Sequence, residues 1–271
     1  MRDLIEQIKK TVVFLGYLGD QQRPNFKATG FLIRIAKVFH LVTAKHVVVD
    51  PKTGKLTDEG LCVFFNTKTG GIGHLRLDNI KRQWDVQWLF HQRNDVDVTI
   101  IPSGLNPEQD DVLTIPEELF LSLDNVYELY DIFFLSYQPG LQASNRINRI
   151  VPVIRSGSIS VINEDKSLYI DGAAFPGNSG SPVFLKPSPI RFDGRNITIG
   201  SDPLGGKFIG VIGAYLPYQE VAVSVQTGRA RVVFEENTGL SQVWSTDLVR
   251  EIMESSAAKK QLQKLMSHQK A

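Results

Sequence analysis

The sequence predicts an all-β fold, a sandwich or barrel. Short runs rich in β-branched and aromatic residues recur at about ten-residue spacing along the chain. Turn residues (Gly, Pro, Asn and Asp) separate those runs. Apolar residues at helical spacing are confined to the two ends.

Taken in order, residues 2–10 carry apolar side chains at 4, 5 and 8, the pattern of a short amphipathic helix. Thr11 to Leu18 reads as a strand and 19–25 as a polar turn. Runs 28–36 and 38–43 are separated only at Ala36-Lys37, a hairpin break whose turn chemistry is poor. Residues 51–60 are a loop, and 61–66, 72–77 and 84–90 read as short strands. Asp97 opens a further run, Val98-Thr99-Ile100-Ile101. A polar stretch from 102 to about 125 then links two halves. The second half offers strands at 131–137, 151–154, 157–162, 167–171, 182–185 and 207–215, with two more candidates at 220–225 and 229–235. Residues 186–207 form a long excursion with a β-like centre at 196–199. From 246 to 269 the apolar spacing is helical, with Ser245 or Thr246 as cap and Ser255-Ser256 weakening the middle. The expected organisation is residues 1–115, 116–245 and a C-terminal helix over 246–271.

Composition narrows the function classes. With 42% hydrophobic and 22% charged residues and a net charge of +1, bulk charge does not drive nucleic-acid binding, and no nucleic-acid partner is expected. No apolar run approaches the ~18–20 residues of a membrane span, so no membrane partner is expected. The single cysteine, Cys62, excludes an intrachain disulfide and is expected to be a buried, inert thiol. The first ten residues are too charged for a signal peptide, so a cytoplasmic location is expected. No His/Cys/Asp/Glu group shows metal-ligand spacing, and neither metal nor cofactor is expected.

One stretch carries chemistry: Phe175-Pro176-Gly177-Asn178-Ser179-Gly180-Ser181-Pro182-Val183-Phe184. A serine between glycines, in a turn that frees nearby N–H groups, has the form of a nucleophile turn. Serine needs a base, and the base needs a group that fixes its tautomer. His46 follows an apolar run that delivers it to a cleft edge. Asp97 directly precedes another, with Asp95 two residues earlier on the same strand face as a competitor.

Thr43-Ala44-Lys45-His46-Val47, Asp97-Val98-Thr99-Ile100-Ile101 and Gly177-Asn178-Ser179-Gly180-Ser181-Pro182 resemble, in order and spacing, the three signature segments of trypsin-like serine proteases. The resemblance spans roughly residues 11–255 and is closest to the disulfide-free bacterial and viral branch. It implies two six-stranded antiparallel β-barrels with the site between them. It implies His46 as general base, Asp97 as its orienting partner and Ser179 as nucleophile, and it favours Asp97 over Asp95. The oxyanion hole would be the N–H groups of Gly177 and Ser179. The primary pocket would have Ala173 at its base and Gly213, Ala214 and Tyr215 as its wall. With no carboxylate at that base, the expected substrate is a protein or peptide with a small or medium apolar residue at the cleavage site.

The chain departs from the family at Asn178. Zymogen-activated members have an aspartate there that pairs with a freed N-terminus. Activation by N-terminal cleavage is therefore not expected, and the site is either preformed or ordered by an activating protein partner. The competing reading from another class is a catalytically silent binding or scaffold module, and a third is a hydrolase of another acyl substrate.

Overall fold

The computed structural model describes residues 2–139, 141, 149–192, 197–200 and 202–268. The fold is mostly β. In the first half, helix α1 (Arg2–Lys9) is followed by β1 (Val12–Leu18), β2 (Pro24–Ile35), β3 (Val38–Thr43), β4 (Cys62–Asn66) and β5 (Ile72–Arg76). Helix α2 (Leu77–Trp84), β6 (Leu89–Phe90), β7 (Thr99–Pro102) and β8 (Ile115–Pro116) complete it. The second half contains β9 (Asp131–Ser136), β10 (Val153–Ile162), β11 (Ser167–Asp171), β12 (Pro182–Leu185), β13 (Ile190–Phe192), β14 (Ile197–Ile199), β15 (Phe208–Val223) and β16 (Ala230–Ser245). Helices α3 (Thr246–Glu254) and α4 (Ser256–His268) follow.

The second half closes into a six-stranded barrel in the order β10-β11-β16-β15-β12-β9. The first half is an eight-stranded sheet in the order β5-β4-β1-β2-β3-β7-β6, with β8 pairing in parallel with β2. Its end strands β5 and β6 do not join by a ladder. Helix α2 follows β5 directly and buries Leu77 and Ile80 in the core of this half. The sequence pattern reads 84–90 as a strand and gives no sign of this helix.

Strand alternation explains how the halves meet, since successive side chains point to opposite faces. Val13, Leu15, Leu32, Leu41, Val63 and Ile101 face one core inside the first sheet. Alternate residues Phe14, Phe31, Ile33, Val42, Phe64 and Ile100 join Phe133, Phe184, Phe208 and Trp244 of the second half. Leu248, Val249 and Ile252 of α3 complete that shared core. Fully burying one such Phe contributes roughly 1.5–3 kcal/mol, so this cluster fixes the two halves firmly against each other.

Other details differ from the sequence reading. β10 runs unbroken through Val153–Ile162, where two strands were expected. The C-terminal pattern bends at Ser255 into two helices. α4 packs on the first half. Leu262 and Leu265 pack into its core, and Gln261 exchanges two hydrogen bonds with the Gln87 backbone. The β2–β3 turn places both Ala36 and Lys37 at positive φ, 48° and 69°, the conformation in which Asn or Gly is preferred. Cys62 is buried and free, and burial raises its thiol pKa. No helix among the described residues is long and apolar enough to cross a membrane.

Candidate active site

His46 sits on a single 3-10 turn, Lys45–Val47, directly after β3. Val47 N–H donates to Ala44 O, turning the chain out of the sheet so that the imidazole stands at the sheet edge, 36% exposed. Asp97 lies just before β7, which pairs with β3, so the ladder Thr43↔Thr99 carries the two residues side by side. The carboxylate holds His46 at two points. Oδ2 is 2.6 Å from Nδ1, and Oδ1 accepts from the His46 backbone N–H at 2.8 Å. Nδ1 is thereby the protonated nitrogen of a neutral ring, and Nε2 is left as the acceptor. Asp95 is instead paired with Arg93 at 2.7 Å. Burial disfavours the imidazolium, but the hydrogen bond to Asp97 and its charge outweigh that, and the His46 pKa is raised above its ordinary value.

The serine stretch begins with a tight turn. Phe175 O accepts from Asn178 N–H at 2.9 Å, Pro176 takes the second position, and Gly177 at φ 97° takes the third. Pro followed by a positive-φ glycine is the signature of a type II turn. Asn178 is completely buried and locks the turn from inside. Its Oδ1 accepts from Phe175 N–H at 2.9 Å, and its Nδ2 donates to Tyr137 O at 2.6 Å. Both ends of this side chain are satisfied by backbone within the second half, so the turn holds its shape without an ion pair to the N-terminus. Among the described residues, the N–H groups of Gly177 and Ser179 donate to no protein atom. That is the state an oxyanion hole requires.

Thr29 of β2 ties this turn to the first half. Its Oγ1 donates to Gly177 O at 2.7 Å and accepts from Tyr137 N–H at 2.8 Å, and its N–H donates to Ser179 O at 3.1 Å. Thr43 Oγ1, at the end of β3, donates to Thr29 O at 2.8 Å. Gly180, at φ 83°, permits the approach, because a Cβ there would fall into Thr29 O and Thr43 Oγ1 and crowd Ala44 N. Gly180 thus seats the serine turn against the residues that lead into His46. Ser179 is half-buried at this junction, and no hydrogen bond joins it to His46 among the described residues. Beside His46 and Asp97 a cavity of about 580 Å³ opens between the 49–54 loop and Asn94-Asp95.

Of the expected pocket residues, Ala173 is half-buried in a segment clamped by Ser241, whose Oγ accepts from Ala174 N–H and donates to Gly172 O. Gly213 is buried, with Trp244 on one side and the Asp97 carboxylate on another: a Cβ there would lie 2.7 Å from Trp244 Nε1 and 3.4 Å from Asp97 Oδ2. Ala214 is exposed. The Tyr215 hydroxyl donates to Glu235 Oε1 at 2.5 Å, which fixes the ring along β16.

Sequence reasoning missed Thr29, Thr43, Tyr137 and Trp244. The Thr29 contacts reach 148 and 108 residues along the chain, and no local pattern announces them. Thr29→Val keeps the shape but leaves Gly177 O and Tyr137 N–H buried without a partner. It is expected to destabilise the fold by about 1–3 kcal/mol in a denaturant melt, while Thr29→Ser stays near wild type. Equal stability of the Val variant would rule out this role.

No protein-family model matches the chain, and no curated protein matches it. Among solved structures, the serine endoprotease from Yersinia pestis superposes with a TM-score of 0.50 at 14% identity, over 95% of this chain. This chain spans 66% of that protein's length. Deg5 superposes with a TM-score of 0.49 at 15% identity, over 79% of this chain and 83% of its own. The Yersinia likeness shows the fold, which is that of the trypsin-like serine proteases.

Proposed function

We propose that this chain, built on the trypsin-like fold, is a serine endopeptidase. The observation that carries the reading is the two-point hold of Asp97 on His46 at 2.6 and 2.8 Å, with the Ser179 turn bonded into the same junction through Thr29. Ser179 Oγ attacks the peptide carbonyl and His46 Nε2 takes its proton. Asp97 keeps the ring oriented and stabilises the imidazolium. The N–H groups of Gly177 and Ser179 receive the oxyanion, each worth on the order of 10²–10³ in rate. His46 then protonates the leaving amine, and water hydrolyses the acyl-enzyme by the same route in reverse.

Ala173, Gly213, Ala214 and Tyr215 line the primary pocket in this reading, which takes a small or medium apolar side chain. Digestion of a peptide library tests it: cleavage after small and medium apolar residues, lost in Ser179→Ala, is expected. A profile dominated by Arg or Lys contradicts the pocket, and no cleavage contradicts the activity. A second reading is an enzyme that an activating protein completes. It is favoured by the missing Ser179–His46 hydrogen bond, although such bonds often tighten only once substrate binds.

A further inference from the structure

The segment that presents Asp97 has no ladder of its own. Residues 91–98 run between β6 and β7, outside both strands, and Asp97 stands near their end. Val96 and Val98, on either side of Asp97, are fully buried in the shared core with Leu248, Val249 and Ile252 of α3. Apolar burial of this kind is strong but non-directional. It holds the segment down without fixing where along α3 it lies.

Direction comes from a polar cluster at the other end of the segment. The His91 side chain is only 7% exposed, and its Nε2 lies 2.7 Å from Glu251 Oε2 on α3. Its Nδ1 accepts from Arg93 N–H at 3.0 Å. The ring proton therefore sits on Nε2 and is donated to Glu251, the reverse of the tautomer that Asp97 imposes on His46. The other Glu251 oxygen, Oε1, accepts from Lys166 Nζ at 2.5 Å. Burial opposes the charge on Glu251, but the bonds from Lys166 and His91 outweigh it, and the Glu251 pKa is lowered. Arg93 pairs with Asp95 and also donates to Asp165 O at 2.8 Å. Asp165, Lys166 and Glu251 all belong to the second half, which carries Ser179. Thr29 anchors the two halves at the serine turn, and the His91 cluster anchors them behind Asp97. Two anchors fix an orientation where one fixes only a point.

We propose that Glu251 and His91 are positioning residues for the Asp97–His46 pair, holding the 91–97 segment in place against the half that carries Ser179. Neither is bonded to His46, Asp97 or Ser179. Their effect is carried by the Asp97 carboxylate, which must meet His46 Nδ1 at 2.6 Å and the His46 N–H at 2.8 Å together. A misplacement of about 1 Å at such a site costs up to about 10²-fold in rate. This rests on the endopeptidase reading above.

The test uses the full chain, one good peptide and the NMR signal of the His46 Nδ1 proton, which a bond to a carboxylate moves far downfield. Two variants break the cluster: His91→Phe, and Glu251→Ala at a helix position that is 38% exposed and suits alanine. Each is expected to lower kcat on the order of 10–100-fold with KM unchanged. Each is also expected to shift the acid limb of the rate profile to lower pH, because burial of His46 is then less opposed by Asp97, and to move the Nδ1 proton upfield. The same shift in His91→Phe excludes titration of His91 itself as the cause. Glu251→Gln keeps an acceptor for His91 and is expected to stay close to wild type, as is Lys166→Gln, which removes only the outer bond. Lower thermal stability in Glu251→Ala with kcat, acid limb and Nδ1 proton unchanged makes the cluster merely structural and overturns the proposal, while the endopeptidase reading stands. A loss in Glu251→Gln as large as in Glu251→Ala overturns it too. No cleavage by the wild type overturns the endopeptidase reading, and the proposal with it.

Discussion

Ser179→Ala is expected to lower kcat for peptide hydrolysis on the order of 10⁶-fold, and His46→Ala by a similar factor. The two losses are expected to be alike because the groups act as a unit. A hydroxyl with no base remains protonated near neutral pH, and a base with no nucleophile has nothing to activate. The double variant is therefore expected to be no slower than either single one. Any residual rate is expected to come from the Gly177 and Ser179 N–H groups and from binding alone. Steady-state kinetics on one good peptide decide the matter. Multiplicative losses would mean that the two residues work independently, and an unchanged rate in either single variant removes that residue from the mechanism. Neither side chain should matter much to folding, since Ser179 is half-buried and His46 is 36% exposed.

Asp97→Asn is expected to lower kcat on the order of 10⁴-fold and to move the acid limb of the pH profile. The base works only when neutral. In the wild type its pKa is raised, so kcat/KM falls as pH drops through a value above the ordinary ~6.5. Burial pulls the other way and is outweighed only by the Asp97 hydrogen bond and charge. With the carboxylate neutralised, burial alone acts, and the limb shifts to lower pH. The amide also faces Nδ1 with either a donor or an acceptor, which releases the tautomer that keeps Nε2 free. The linked stability has a definite sign. A raised folded-state pKa stabilises the protein fully below the unfolded value of about 6.5, and the benefit is lost as pH rises through the raised value. Wild type should therefore lose this increment across that window, and Asp97→Asn should not. Rate profiles and melts over the same pH series check both. An acid limb that stays where it is would show that Asp97 does not set the His46 pKa.

The parts of the site that sequence exposes are those with local chemistry. A serine between glycines, a histidine ending one apolar run and an aspartate opening another are visible because each sits at the edge of a strand. Two aspartates compete in the sequence, where the resemblance favours Asp97; in the fold Asp95 is engaged by Arg93, while Asp97 is carried to His46 by the β3–β7 ladder. Thr29 looks like any strand threonine, because its worth lies in contacts more than a hundred residues distant. Helix α2 was hidden because Leu77, Ile80 and Trp84 are its only large apolar residues, too few to outweigh the strand signals on either side. The ends of β15 and β16 read correctly as strands, but not as one hairpin. The candidate strands 220–225 and 229–235 belong to one continuous hairpin whose valines are exposed to solvent. Periodicity reports that a strand exists and is silent on whether a partner covers it.

The central claim is that Ser179 is a live nucleophile served by His46, and a fluorophosphonate probe tests it most directly. The serine oxygen bonds to phosphorus, fluoride leaves, and the adduct is stable enough to locate by mass spectrometry of the digested protein. The expected result is one adduct per chain, on Ser179, absent in Ser179→Ala and strongly slowed in His46→Ala and Asp97→Asn. No adduct on Ser179 in the folded wild-type chain, at any pH from about 6 to 9 that leaves the His46 base neutral in part or in full, would contradict it.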